Sequence, residues 1–412
     1  MSSERAAQRS VLVFDDNPGR AANWVGSIGS CLSAEYPVRR VDPKEFAAAL
    51  DALTTRRTTS DQSWPQDDAS ILDQALIVVL DSDIDATGPD ALAALKGRSG
   101  QRVAELVRHY SDAGMVVVVN ENGASPVFDL TMADDRRAVA DLMVDEDSMA
   151  SPSLWSGRLD PTARDFLPTY WPRTEQLAVG VERAVQEASV NDLSRGVLEF
   201  LAVEHWDAWL TPVQRDSLFG DKEDPVAPHA SPLCTLREMG SKSYTEVWPR
   251  AKFNPDSLHH LRVALFAVSR WIRRELLPSL NVVSEAIHLP MVVPEAFDEA
   301  ITVEDLARLL HEGDRAELDG RRFAGIDLER APRSVELLAG RPLWVVGDPD
   351  VDSDGLSSLM LKYRLAEDVA TYFPRDQLQE FAPDFGGAFG TRFVLSDRRA
   401  VNASYRPRSR LA

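Results

Sequence analysis

Short, strongly apolar segments that end at an aspartate or asparagine constrain this sequence more than any other feature. They cover residues 11–14, 75–80 and 115–119, and none of them contains a charged residue. Segments of this length without polar alternation are typical of strands buried on both faces of a parallel sheet. Apolar residues at helical spacing lie between them, within residues 20–34 and 100–112. This alternation predicts an α/β fold with a doubly wound parallel sheet in the N-terminal part of the chain.

Three aspartates directly follow two of these segments. Asp15 and Asp16 come after the first segment, and Asp81 comes after residues 75–80. The carboxyl ends of parallel strands meet at one edge of a sheet, where open α/β sheets bind their ligands. If the two strands are neighbours, the carboxylates converge and need a proton or a divalent cation to offset their repulsion. Mg²⁺ fits this set, because it binds a few carboxylates together with water and phosphate oxygens.

The same residues resemble the receiver domain of two-component response regulators. The resemblance covers residues 10–145 and leaves the remainder of the chain unrecognised. It implies that Asp15 and Asp16 hold Mg²⁺, with the backbone carbonyl of Asp83 as a further ligand. It also implies that Asp81 accepts a phosphoryl group from a histidine kinase.

Two features depart from the receiver pattern. The family has a small hydroxyl residue at the end of its fourth strand, where this chain has Asn120. The family also has a lysine after its fifth strand, but here no lysine occurs between Lys96 and Lys222. The predicted fifth strand, residues 142–144, instead leads into three acidic residues, which repel a phosphoryl group. The pattern therefore favours a degenerate receiver that docks a protein partner, with a phosphorylatable receiver as the alternative.

The rest of the chain changes character twice. An aromatic and proline-rich stretch leads to a mainly helical middle region, whose best helical patterns cover residues 194–210 and 256–276. The C-terminal part predicts a small α/β unit, with a helix over 356–372 and a strand at 392–395. The predicted units are a receiver-like domain (1–150), a linker and connecting helix (151–192), a helical domain (193–330) and a small α/β unit (331–412).

A second acidic run lies in the C-terminal part and ends at Gly355. Alternating aspartates before a glycine resemble the first half of a calcium loop, in which alternate side chains face one cation. Counted from the two possible starting points, the twelfth position is Leu359 or Leu361, where such a loop needs a carboxylate. The pattern favours a solvated loop, and the alternative metal ligands are Asp348, Asp350, Asp352 and Asp354.

Composition excludes several classes of protein. The 65 acidic and 45 basic residues give a formal charge of -20, which argues against nucleic acid as a partner. Only Cys31 and Cys234 are present, so the chain has neither a disulfide framework nor a cysteine-rich zinc site. No stretch approaches the roughly 20 apolar residues that a membrane span needs. We expect a cytoplasmic protein without a membrane partner.

These observations predict a cytoplasmic signalling protein whose receiver-like domain binds a kinase or an effector, with or without phosphorylation of Asp81. The first alternative is a Mg²⁺-dependent enzyme of the phosphohydrolase type, using either acidic group. No paired general acid and no lysine or arginine clamp is recognisable, so the pattern favours a non-catalytic role. The second alternative is a structural subunit of a multi-protein assembly.

Overall fold

The structure of the chain, a computed structural model, describes sixteen stretches of residues. These are 9–58, 70–84, 95, 99–120, 140–150, 152–156, 174–204, 209, 235–245, 258–272, 276, 282–283, 328–346, 363–366, 371–381 and 392–395. The C-terminal acidic run with Asp348, Asp350, Asp352 and Asp354 lies outside the described residues. Within the described stretches, no helix has both the length and the apolar character that crossing a bilayer requires.

A five-stranded parallel sheet forms the N-terminal part. Its strands are β1 (Ser10–Phe14), β2 (Val38–Arg40), β3 (Ala75–Asp81), β4 (Met115–Asn120) and β5 (Leu142–Asp145). The strands lie in the order β2-β1-β3-β4-β5, and every neighbouring pair is parallel. The sequence prediction of strands here, including the fifth, is confirmed. Because the chain moves from β1 to β2 and returns to the other side of β1, the strand order reverses between β1 and β3, which creates a crevice at their carboxyl ends.

Three helices connect these strands: α1 (Pro18–Cys31), α2 (Pro43–Thr58) and α3 (Gly100–Tyr110). Alternate residues of β1 enter two different apolar clusters, as the two-residue period of a strand requires. Leu12 and Phe14 pack with α2 and α3, whereas Val11 and Val13 pack with Trp24 of α1. Both faces of the sheet are therefore covered by apolar side chains.

The helices that the structure describes after β5 are α4 (Pro152–Trp155), α5 (Thr174–Glu187), α6 (Val197–Leu201), α7 (Leu236–Thr245), α8 (Leu258–Trp271) and α9 (Arg333–Ala339). Helix α8 confirms the helical pattern at 256–276. The helix predicted over 194–210 is wrong in most of its described part: only α6 is α-helical, and the chain leaves the helix at Ala202, whose backbone is left-handed. The cluster that covers Val11 and Val79 continues without a break through Val181 of α5 to Leu265 of α8. The sheet and these helices therefore share one apolar core.

Two small sheets follow. One is antiparallel, with β6 (Val282–Val283), β7 (Leu328–Arg330) and β8 (Trp344–Val346) in the order β6-β8-β7. The other has β9 (Tyr363–Ala366), β10 (Thr371–Pro374), β11 (Leu378–Phe381) and β12 (Arg392–Leu395) in the order β10-β9-β12-β11. A single 3₁₀ turn, Arg375–Gln377, joins β10 directly to β11.

The strand predicted at 392–395 is confirmed as β12, but the helix predicted over 356–372 is wrong wherever its residues are described. Residues 363–366 and 371–372 belong to β9 and β10. These strands pair antiparallel, which places Tyr372 opposite Leu365. Aromatic residues gain from cross-strand packing of this kind, and this gain outweighs a weak helical periodicity.

An acidic hollow at the carboxyl ends of β1 and β3

Asp15, Asp16 and Asp81 converge at the point where the strand order reverses. Phe14 pairs with Leu80, so the residues that follow them lie side by side at the ends of β1 and β3. One carboxylate oxygen from each aspartate lies within 4.8 Å of the other two. Asp15 and Asp81 are buried, at 2% and 0% exposure, and Asp16 is half-buried. The predicted convergence is confirmed, and we call this trio the acidic hollow.

Two turns hold the buried carboxylates in place. The backbone N–H of Asn17 donates to Oδ1 of Asp15 at 2.7 Å, and that of Asp83 donates to Oδ1 of Asp81 at 3.2 Å. Aspartate side chains commonly accept a hydrogen bond from the backbone N–H two residues further along the chain, and such turns are frequent after a strand. The backbone of Asp83 thus lies at the hollow. The side chain of Asp83 is exposed and does not belong to the trio.

The side chain of Arg20 lies among the three carboxylates. Its Nη2 is 2.7 Å from Oδ1 of Asp15, 2.5 Å from Oδ2 of Asp81 and 3.5 Å from Oδ1 of Asp16, and its Nε also donates to Asp15. Arg20 stands in the first turn of α1, whose N-terminus is capped by the side chain of Asn17. The helix therefore delivers a cation directly to the ends of β1 and β3.

Sequence reasoning missed Arg20, although a signal was present. Arg20 follows Asp16 by four residues, the spacing that brings side chains together on a helix. The turn after β1 determines whether that spacing points the guanidinium into the hollow or away from it. The sequence pattern alone does not distinguish these orientations.

Among the described residues, three carboxylates of the hollow face one guanidinium, which leaves this group with a surplus of negative charge. The pKa of Asp81 is raised to about 6, mainly by burial. The hydrogen bond from the N–H of Asp83 lowers this pKa, and the negative charge of Asp15 raises it. Burial and the neighbouring Asp15 also raise the pKa of Asp16. The hydrogen bonds from Arg20 to Asp15 raise the pKa of Arg20, because they stabilise the charged guanidinium. The hollow therefore favours the uptake of positive charge.

The donor atoms suit a hard divalent cation such as Mg²⁺, which takes oxygen ligands from a small number of carboxylates. The residues able to hold it are Asp15, Asp16 and Asp81. The same carboxylates already accept hydrogen bonds or an ion pair from Arg20. A divalent cation at this place therefore has to share the oxygens with Arg20 or displace it.

The neighbouring strand ends complete the crevice differently from a receiver domain. Glu146 follows β5, where the resemblance implies a lysine, and its Oε1 accepts a hydrogen bond from Nε1 of Trp24 at 3.1 Å. Trp24 is 2% exposed and lies beneath Arg20, whose guanidinium carbon is 5.6 Å from the indole ring centre. The contacts at this edge thus connect Asp81, Arg20, Trp24 and Glu146 in series.

Comparison of the chain with models of known protein families finds no match. Searches against curated proteins and against solved structures also find no similar protein. The chemistry of the acidic hollow therefore has to follow from its own residues.

Proposed function

We propose that this chain is a signalling protein whose N-terminal unit is a degenerate receiver that docks a protein partner and is not itself phosphorylated. One observation carries this proposal. The guanidinium of Arg20 is bound to Asp15 and Asp81, the residues to which the receiver resemblance assigns the metal and the phosphoryl group.

The state of the Asp81 carboxylate supports docking over phosphoryl transfer. A carboxylate that attacks a phosphoryl group needs an oxygen free for in-line approach and a metal ion to offset the developing charge. Oδ1 of Asp81 accepts the N–H of Asp83, and Oδ2 accepts from Arg20. Both oxygens are therefore engaged, and the nearby cation is a side chain of the protein.

The residue after β5 supports the same conclusion. Glu146 brings a negative charge where a receiver uses a lysine to bind a phosphoryl oxygen, and it is bonded to Trp24. A second carboxylate near an incoming phosphoryl group raises the energy of that group, because like charges repel. The carboxyl edge of the parallel sheet is thus better suited to binding a protein partner than to phosphoryl transfer.

The test is incubation of the full chain with Mg²⁺ and acetyl phosphate, followed by intact-mass measurement. We expect no adduct on the wild-type chain, while a phosphorylatable receiver treated in parallel gains about 80 Da, the mass of one phosphoryl group. An adduct on the wild-type chain that is absent from Asp81→Asn would overturn the docking proposal in favour of a working receiver. Mg²⁺-dependent hydrolysis of a phosphate ester, lost in Asp15→Asn, would instead support the enzyme alternative.

The docking role itself is tested with signalling proteins encoded beside the gene of this chain. We expect one of them, a kinase or an effector, to co-purify with the full chain in the absence of any phosphodonor. Binding that requires acetyl phosphate would contradict a docking role independent of phosphorylation.

A further inference from the structure

We propose that Arg20 is a displaceable internal cation, which closes the acidic hollow to divalent metal ions and whose departure is relayed through Trp24 to Glu146. The inference deepens the proposed function and rests on it, because it names how a site without phosphorylation can still change state. The ligand class is a hard divalent cation.

Arg20 and a divalent cation compete for the same oxygens. Nη2 of Arg20 lies 2.5 Å from Asp81 Oδ2 and 2.7 Å from Asp15 Oδ1. The three carboxylate oxygens that could enclose an ion are within 4.8 Å of one another, so an ion between them lies close to the guanidinium and is repelled by it. Binding of one therefore weakens the binding of the other.

Two features make Arg20 displaceable. Its side chain is 17% exposed, whereas those of Asp15 and Asp81 are fully buried, so it has a path to solvent that the carboxylates lack. One guanidinium also neutralises only part of the charge of three carboxylates, and a divalent cation neutralises more of it. The carboxylates are held independently of Arg20 by the N–H groups of Asn17 and Asp83, so the hollow keeps its shape when Arg20 leaves.

The contacts of Trp24 carry the change away from the hollow. The guanidinium of Arg20 lies over the indole ring at 5.6 Å, within the range of a cation–π interaction. The indole Nε1 donates to Glu146, which begins the segment that leads through a 3₁₀ turn to Ala150. The sulfur of Cys31, at the end of α1, contacts the carbonyl of Ala150. The middle of α1 and its C-terminal end are thus both linked to the chain after β5, and the loss of the Arg20 contact alters the first of these links.

The experiment measures the binding of Mn²⁺, a paramagnetic probe for Mg²⁺. The free ion is quantified by its electron paramagnetic resonance signal. The variants are wild type, Arg20→Gln and the matched control Arg39→Gln. The control removes an exposed arginine that pairs with Glu45 on the surface. We expect Arg20→Gln to bind one Mn²⁺ at least about tenfold more tightly than wild type, since it removes a fixed positive charge from the site. Arg39→Gln should match wild type, and Asp81→Asn added to Arg20→Gln should abolish the gain.

The relay has its own readout in tryptophan fluorescence. We expect the emission of Arg20→Gln to differ from wild type and this difference to vanish when both chains also carry Trp24→Phe. Retention of the full difference in the Trp24→Phe background would overturn the relay.

Equal Mn²⁺ affinity of wild type and Arg20→Gln would overturn the proposal that Arg20 acts as an internal cation. Far-UV circular dichroism checks the fold of each variant. If Arg20→Gln does not fold, Arg20→Met carries the test, because it also removes the positive charge; it should bind Mn²⁺ more tightly than wild type, and equal affinity again overturns the proposal.

The two proposals fail separately. A phosphoryl adduct on the wild-type chain together with tighter Mn²⁺ binding by Arg20→Gln removes the docking role and keeps the internal cation. No adduct together with equal Mn²⁺ affinities keeps the docking role and removes the internal cation.

Discussion

Glu182 of α5 and Arg262 of α8 form a two-point ion pair, with Nε–Oε1 at 2.8 Å and Nη2–Oε2 at 3.2 Å. The pair lies near the amino ends of the strands, since Nη1 of Arg262 also reaches Asp112, just before β4, at 3.0 Å. Arg9, just before β1, also pairs with Glu182. Buried charges therefore connect the sheet to two helices at the end opposite the acidic hollow.

We expect Arg262→Met to lower the free energy of unfolding by about 3 kcal/mol, at the lower end of the cost of breaking a buried pair, because Glu182 loses its two-point partner but keeps Arg9. Urea denaturation measures the change. The control is Arg333→Met, which removes the exposed pair with Glu187 and should lower the free energy of unfolding far less than Arg262→Met. Equal losses for the two variants would show that the buried pair has no special role.

The shared core predicts that the sheet does not fold well alone. Val79 and Val117 face the cluster that contains Val181 and Leu265, so a chain cut after residue 156 exposes that face. We expect residues 1–156 to aggregate or to lack a cooperative thermal transition, while the full chain has one. Size-exclusion chromatography and calorimetry test this, and a monomeric fragment that melts cooperatively would contradict it.

Two glycines should respond oppositely to alanine. A Cβ on Gly100 would lie 1.9 Å from the carbonyl oxygen of Asp81, so Gly100→Ala forces the start of α3 away from β3. We expect it to destabilise the protein by about 1–3 kcal/mol. Gly26, inside α1, has open space around its Cβ position, so Gly26→Ala should stabilise by about 0.5–1 kcal/mol. Denaturant midpoints of the two variants decide this, and a stable Gly100→Ala would contradict the close approach.

The raised pKa of Asp81 predicts a pH dependence of stability. Its pKa is about 6 in the folded chain, against an ordinary value of 3.8. Between these values the folded state holds a proton that the unfolded state has released, so the contribution of Asp81 to stability falls as pH rises from about 4 to about 6.

We therefore expect the free energy of unfolding of wild type, measured relative to Asp81→Asn, to fall over this range by on the order of 2 kcal/mol. Urea denaturation at pH 4.5 and at pH 7 measures both chains. Parallel pH profiles for the two would contradict a raised pKa at Asp81.

The sequence was sufficient for the sheet and for the carboxylates. An apolar run with no polar alternation, such as residues 75–80, has few structures available other than a buried strand, and the position of Asp81 follows from it. Arg20 was not predictable to the same degree, because its orientation depends on the turn at Asn17. The residues of β9 and β10 were wrongly predicted as a helix, because their pairing involves tertiary contacts that a local pattern does not contain.

In the four-stranded C-terminal sheet, the connection between β10 and β11 affects the two edges of the sheet. Strands β10 and β11 lie at opposite edges of the order, yet only the residues of one 3₁₀ turn separate them in the chain. In a flat sheet these edges would be about 14 Å apart, three strand spacings. A 3₁₀ turn advances only about 2 Å per residue, so the ends of β10 and β11 that it joins lie closer together than the edges of a flat four-stranded sheet would. A strand of another molecule therefore finds less room beside these two joined ends, which disfavours edge-to-edge aggregation there.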